Sequence, residues 1–260
     1  MNSIFQIAIN TFREIIRGKL TILLLAFGIS VVGLSAVFGS VSLGDREKVI
    51  IDFGLFSISI LTVGLSVLAG ASLMQKEISQ KTAYNILSKP VGRWQLVFGK
   101  YLGLLMSVSI MTCFMGTILS FLITWLTGQF SSLIMEASMF IIFELVIVTA
   151  VTTFFSAALV TPTLVGIFAF AIFIIGRSIE YLPGLLELNI NLEAATHAPL
   201  FIETIYWVMP HLSEISIING IPYGMGASAA QFLTALSYST SYAAITLLLA
   251  CVIFSRRNFT

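Results

Sequence analysis

From Leu20 to Leu43 the chain carries no charged residue, and the same holds from Phe53 to Met74 and from Leu102 to Leu126. About 20 apolar residues in a helix cross the hydrocarbon core of a bilayer, which is roughly 30 Å thick. Inside that core no water is present to satisfy backbone N–H and C=O groups, so such a run must bond within itself as a helix. These segments therefore predict spans at 20–43, 53–74 and 96–126, the third extended back to Leu96. Ala137 to Tyr181 is about twice one span and must fold back. Thr161-Pro162-Thr163 is the natural break, because Thr161 can cap a new helix and Pro162 suits its first position. Spans at 137–160 and 163–181 follow, and 233–254 is a sixth.

Composition agrees. The 260 residues are 58% hydrophobic and 10% charged, with mean hydropathy +1.02, where soluble domains are about a quarter charged. So few charges cannot cover a water-soluble globule of this size. The same figures exclude disorder, a collagen-like fibre and a disulfide scaffold. Cys113 and Cys251 both fall in apolar runs and imply no disulfide framework. The expectation is one all-α polytopic membrane domain over residues 1–260, with six transmembrane helices.

Placement of the basic residues predicts orientation. With both termini cytoplasmic, Arg13, Arg17, Lys19, Lys76, Lys81, Lys89, Arg93, Lys100, Arg256 and Arg257 lie inside. Only Arg46, Lys48 and Arg177 lie outside. The reverse topology would violate the positive-inside rule. The acids show the opposite, less telling bias. No cleavable signal peptide is expected, because the first apolar run is too long and lacks a cleavage site. Residues 2–17 read instead as an amphipathic helix in the membrane interface, with Ile4, Phe5, Ala8, Phe12, Ile15 and Ile16 on its apolar face.

The most patterned polar stretch is 75–90, between the second and third spans. Ile78, Thr82, Asn85 and Ile86 share a helical face flanked by Tyr84 and Leu87, while Lys76, Gln80 and Lys81 lie mostly elsewhere. Pro90 and Gly92 stop this helix, and Arg93-Trp94 makes an interfacial anchor. A short cytoplasmic helix placed here can pass a push from a docked partner to two spans. A loop helix that merely satisfies the positive-inside rule would look similar.

The block Glu77-x-x-x-Lys81-Thr82-x-x-x-x-Leu87-Ser88-x-Pro90-x-x-Arg93, followed by Gly99-Lys100-Tyr101-Leu102, resembles the coupling segment of type 2 ABC transporter permeases. That family has Glu, then Gly-Thr, then a Leu-Leu pair ahead of Pro and Arg. Lys81 stands in place of the Gly, and Ile86-Leu87 supplies the pair. Phe155-Ser156, Pro162, Gly176, Tyr206-Trp207-Val208-Met209-Pro210-His211-Leu212 and the ending Phe254 to Phe259 are similar to the subgroup associated with multicopper-enzyme maturation. That subgroup often has Asp where Asn258 stands. The resemblance covers nearly the whole chain and names no substrate.

The resemblance implies a permease subunit in the cell (inner) membrane, an exporter by default. It would pair with a second copy or a related permease over two cytosolic ABC ATPase subunits. It makes Glu77 an orienting contact to the ATPase, with Lys81, Thr82, Tyr84 and Leu87 in the coupling face and Arg93 anchoring the segment. The chain would hold no cofactor and bind no nucleic acid, ATP and magnesium belonging to the partner. The residues agree on the motor. A phosphate-binding loop needs Gly-x-x-x-x-Gly-Lys followed by Ser or Thr. Gly18-Lys19 and Gly99-Lys100 are instead followed by Leu20 and Tyr101, and Arg13 and Trp94 stand where the earlier Gly is required.

Glu144 is the one acid well inside a predicted span, about two turns from its outer end. Intramembrane ionisable groups are functional candidates by default, so Glu144 is a candidate for the transport path. The plainer alternative is a protonated carboxyl bonded to Ser or Thr on another helix. Met106, Met111, Met115 and Cys113 form no single stripe and read as packing rather than a soft-metal path. His197 and His211 read as surface histidines of an outer loop at 182–232, in which 199–212 is a candidate amphipathic helix. Gly99-x-x-x-Gly103 and Ser66-x-x-x-Gly70 offer faces for close helix contact and weak support for a dimer. A secondary carrier or channel would be expected to show repeated halves with broken helices, and none match. A membrane-embedded enzyme needs nucleophile and base in reach within the bilayer, and both histidines fall outside the spans.

Overall fold

A computed structural model describes residues 2–41, 46–79, 92–159, 161–181 and 206–256. The chain forms α1 (Asn2–Ile16), α2 (Lys19–Val41), α3 (Arg46–Ser79), α4 (Arg93–Thr127), α5 (Leu133–Ala158) and α6 (Pro162–Ser178). A 3-10 turn (Ile179–Tyr181), the one-turn helix α7 (Leu212–Ile215), a second 3-10 stretch (Ile218–Tyr223) and α8 (Ala229–Arg256) complete it. Among the described residues there is no strand. The helices α2, α3, α4, α5 and α8 are long and apolar enough to cross a membrane, and α6, with 17 residues, is a shorter apolar helix. This is a multi-pass membrane protein.

The helices outrun the apolar segments that announce them. α3 has 34 residues and α4 has 35, about 51 and 52 Å at 1.5 Å per residue. Trp94 and Trp125, both exposed, stand at opposite ends of α4. They are separated by roughly 46 Å along the axis, close to the ~40–45 Å of a bilayer with its headgroup layers. Amphipathic indole rings favour those two levels, so Trp94 and Trp125 mark the two ends of the bundle. Gly128 ends α4 in the left-handed region at φ 74°, its N–H bonded to the Thr124 carbonyl, as a glycine cap allows without strain.

α5 is the hub, packed on α3, α4, α6 and α8. Leu55, Ile58, Leu104, Met115, Leu119, Ile141 and Leu145 are fully buried in this core. α2 and α8 present most of their surface outward, with Ile22, Leu23, Ile245 and Leu248 exposed, as lipid-facing helices should. Many of the hydroxyls inside the spans bond back along their own helices. Ser107 donates to the Gly103 carbonyl, Thr112 to Val108 and Thr152 to Val148, which satisfies these groups without water; the buried Ser66 and Ser120 hydroxyls have no such bond.

Both small-residue motifs are used inside the chain. A Cβ at Gly99 would lie 2.8 Å from the Ile7 side chain, and one at Gly103 would lie 2.5 Å from the Ala8 carbonyl oxygen. α1 thus runs along the first turns of α4, with Ala8, Thr11 and Ile15 buried and Phe5 exposed. The interfacial helix expected at 2–17 is helical over 2–16, but its inner face meets protein. At Gly70 a Cβ would lie 2.6 Å from the Thr152 side chain of α5. The support these motifs lent to a dimer is withdrawn, since their partners are α1 and α5 of the same chain.

Candidate functional site

Glu144 lies on the hub helix α5, one turn beyond Phe140, and only 2% of its side chain is exposed. Arg177, in the last turn of α6, reaches it. Its Nη1 stands 2.9 Å from Oε1 and 3.1 Å from Oε2, and also donates to Ser59 Oγ of α3 at 3.0 Å. Ser59 donates in turn to Oε2 at 3.4 Å. Three helices therefore converge on one charged cluster about a third of the way in from the Trp125 end. A buried carboxylate is tolerable only when paired and hydrogen-bonded, and the cluster supplies both conditions. Arg177 keeps 27% of its side chain exposed, so the pair has a dry side and an open side.

The lone acid anticipated in span four thus has a partner more potent than a Ser or Thr. Arg177 looks like an outer-surface residue because it closes its apolar run. The available signal is depth: Glu144 and Arg177 lie at similar distances from the same membrane face, each the sole charge of its sign in its segment.

At the Trp94 end, two cations fix the roots of the segment expected to couple. Lys100, buried on α4, donates from Nζ to the Leu73 carbonyl of α3 at 2.7 Å. Arg93 donates from Nη1 to the Ser255 carbonyl near the end of α8, also at 2.7 Å. α3 continues through Ser79, so Glu77 lies on a helical extension of the second span. Lys81, Thr82, Tyr84 and Leu87 lie outside the described residues, and with them the helix expected over 75–90 beyond Ser79. Of the proposed coupling residues, Arg93 is placed with a partner: it joins α4 to α8.

The remaining candidates sort by burial. Met111 and Met115 pack in the main core, whereas Met106 and Cys113 are exposed, so the four do not converge. His197 lies outside the described residues. His211 is not a surface histidine: it is half-buried, with its ring 4.6 Å from that of Tyr206 at 88° and its backbone N–H donating to the Tyr238 hydroxyl at 3.0 Å. Within the helix expected at 199–212, the described part is broken, with helical turns at 206–208 and from Leu212 and a bend between them. Pro210 disfavours helical backbone at Met209 and removes a donor. Gly176 faces this bend, and a Cβ there would lie 2.6 Å from the Pro210 carbonyl oxygen.

No family model matches the chain, and no curated protein matches it significantly.

Proposed function

We propose that the chain is the transmembrane subunit of an ATP-driven transporter of the type 2 ABC class, driven by a separate cytosolic ATPase that docks at 75–90. In this reading α6 is a sixth span, both termini and the Trp94 end face the cytoplasm of a bacterial-type inner membrane, and transport runs outward. Two permeases, identical or related, sit over two ATPase subunits.

The observation that carries the proposal is the way the 75–90 connection is rooted. It joins the two longest helices, and each root is bonded to another helix by a cation: α4 to α3 through Lys100, and α4 to α8 through Arg93. A displacement imposed on the connection is delivered to α3, α4 and α8 together, and through them to α5. The order of motifs resembling the permease family, and the absence of a phosphate-binding loop from the sequence, support the same assignment. Glu77 orients the ATPase, Lys81, Thr82, Tyr84 and Leu87 complete the contact, and Arg93 holds its base. ATP binding closes the ATPase dimer and tilts α3 and α4. The Glu144–Arg177–Ser59 cluster, which ties α5, α6 and α3, is where that tilt changes a buried polar contact.

One observation favours a second reading. Buried charge pairs within spans mark ion pathways, and Glu144–Arg177 suits a carrier driven by an ion gradient. Purification from native membranes separates the two. The proposal expects a stably associated subunit that hydrolyses ATP; a chain that purifies alone and transports without ATP would overturn it.

A further inference from the structure

At the Trp125 end, α5, α8 and the residues 211–217 line a half-open cavity of about 220 Å³. We propose that it binds a small organic ammonium ion. The inference goes beyond the transport assignment and holds whether or not an ATPase drives the protein.

Charge gives the sign of the ligand. Glu214 is the sole formally charged residue among the described lining, and it is exposed at the rim. Among the described residues neither Lys nor Arg lines the cavity, so an anion would meet a carboxylate and no counter-charge from them. The walls give the chemical type. Phe140 and Tyr238 contribute aromatic rings to the wall, and such rings attract cations. The His211 ring nitrogens have no hydrogen-bond partner among the described residues, and a neutral imidazole offers one acceptor.

Several contacts hold the walls of the site. Tyr238 fixes His211 through the backbone N–H, Tyr206 supports its ring, and the Pro210 carbonyl rests against Gly176. Phe140 is held edge-to-face by Phe143 and Phe232, at 5.6 and 6.1 Å between centroids. This gives a purpose to the Tyr206–Leu212 motif that the coupling mechanism leaves unused. The volume sets the size. It is below the roughly 300–1,000 Å³ of drug-sized sites, which suits a small ligand. Phe140 stands one turn from Glu144 on α5, so the cavity and the buried ion pair share a helix face.

The test is isothermal titration of the purified full chain in dodecylmaltoside micelles with choline and with its neutral isostere, 3,3-dimethylbutan-1-ol. The expected result is saturable choline binding, at least tenfold tighter than the isostere and weakened about tenfold by Glu214→Gln. Glu214 is exposed, so that variant keeps its fold, which elution at the wild-type volume checks. Equal binding of the two compounds, indifference to Glu214→Gln, or no saturable choline binding would each overturn the proposal.

Discussion

Removing one member of the Glu144–Arg177 pair should cost far more on one side than on the other. Arg177→Met leaves a carboxylate that is 2% exposed with only the Ser59 hydroxyl at 3.4 Å. Stranding a buried charge in this way costs about 3–5 kcal/mol. Glu144→Gln leaves a guanidinium that is 27% exposed, with an amide oxygen and Ser59 still in reach. That loss should be about 1–2 kcal/mol, the scale of a weakened charge-assisted bond. In the double variant, Glu144→Gln with Arg177→Met, no charge remains to be stranded. Its loss should fall short of the sum of the single losses by about 1.5–3 kcal/mol. The assay is equilibrium unfolding in mixed dodecylmaltoside–SDS micelles followed by near-ultraviolet circular dichroism. Additivity within about 0.5 kcal/mol, or equal losses for the two single variants, would refute the paired, one-sided geometry.

Two further substitutions probe the frame around the coupling segment. Gly103→Val places a side chain against the Ala8 carbonyl and the Thr11 side chain, and should lift α1 from α4 at a cost of about 1–3 kcal/mol. Faster tryptic cleavage after Arg13 and Arg17 would report the release, and unchanged cleavage would contradict it. Lys100→Met removes the bond to the Leu73 carbonyl, costing about 1.5–3 kcal/mol. Amide exchange over Leu73 to Ser79 should quicken; if it does not, Lys100 does not hold the root of the segment.

How much of this was legible beforehand follows from what each signal encodes. Uninterrupted apolar runs mark the lipid-crossing part of a helix, so α2 at Lys19–Val41 lies close to the expected 20–43. They do not mark where the helix stops. α3 begins at Arg46 and continues through Ser79 because charged turns bond their backbones as well as apolar ones do. Thr161-Pro162 marks the start of α6 because Pro162 suits the first helical position, although the Thr161 side chain makes no capping hydrogen bond. Pairing between helices is another matter. Gly99 and Gly103 show that some helix comes close, without saying that it is α1. Glu144 announces itself as an intramembrane acid, yet its base lies 33 residues away on another helix. The half-burial of His211 is equally hidden, because a histidine in a proline-rich loop carries no sequence sign of the Tyr206 ring beside it or of the Tyr238 hydroxyl that accepts from its backbone.

The central claim is that force enters through the 75–90 connection from an ATPase. Its most direct measurement is ATP hydrolysis by the complex purified from native membranes, comparing the wild-type chain with Glu77→Lys. The expected result is that the wild-type chain changes the hydrolysis rate of a co-purified ATPase subunit severalfold over that subunit alone, and that Glu77→Lys abolishes this change while the bundle remains folded. Normal stimulation and transport with Glu77→Lys, or a wild-type chain that brings no ATPase with it, would contradict the account.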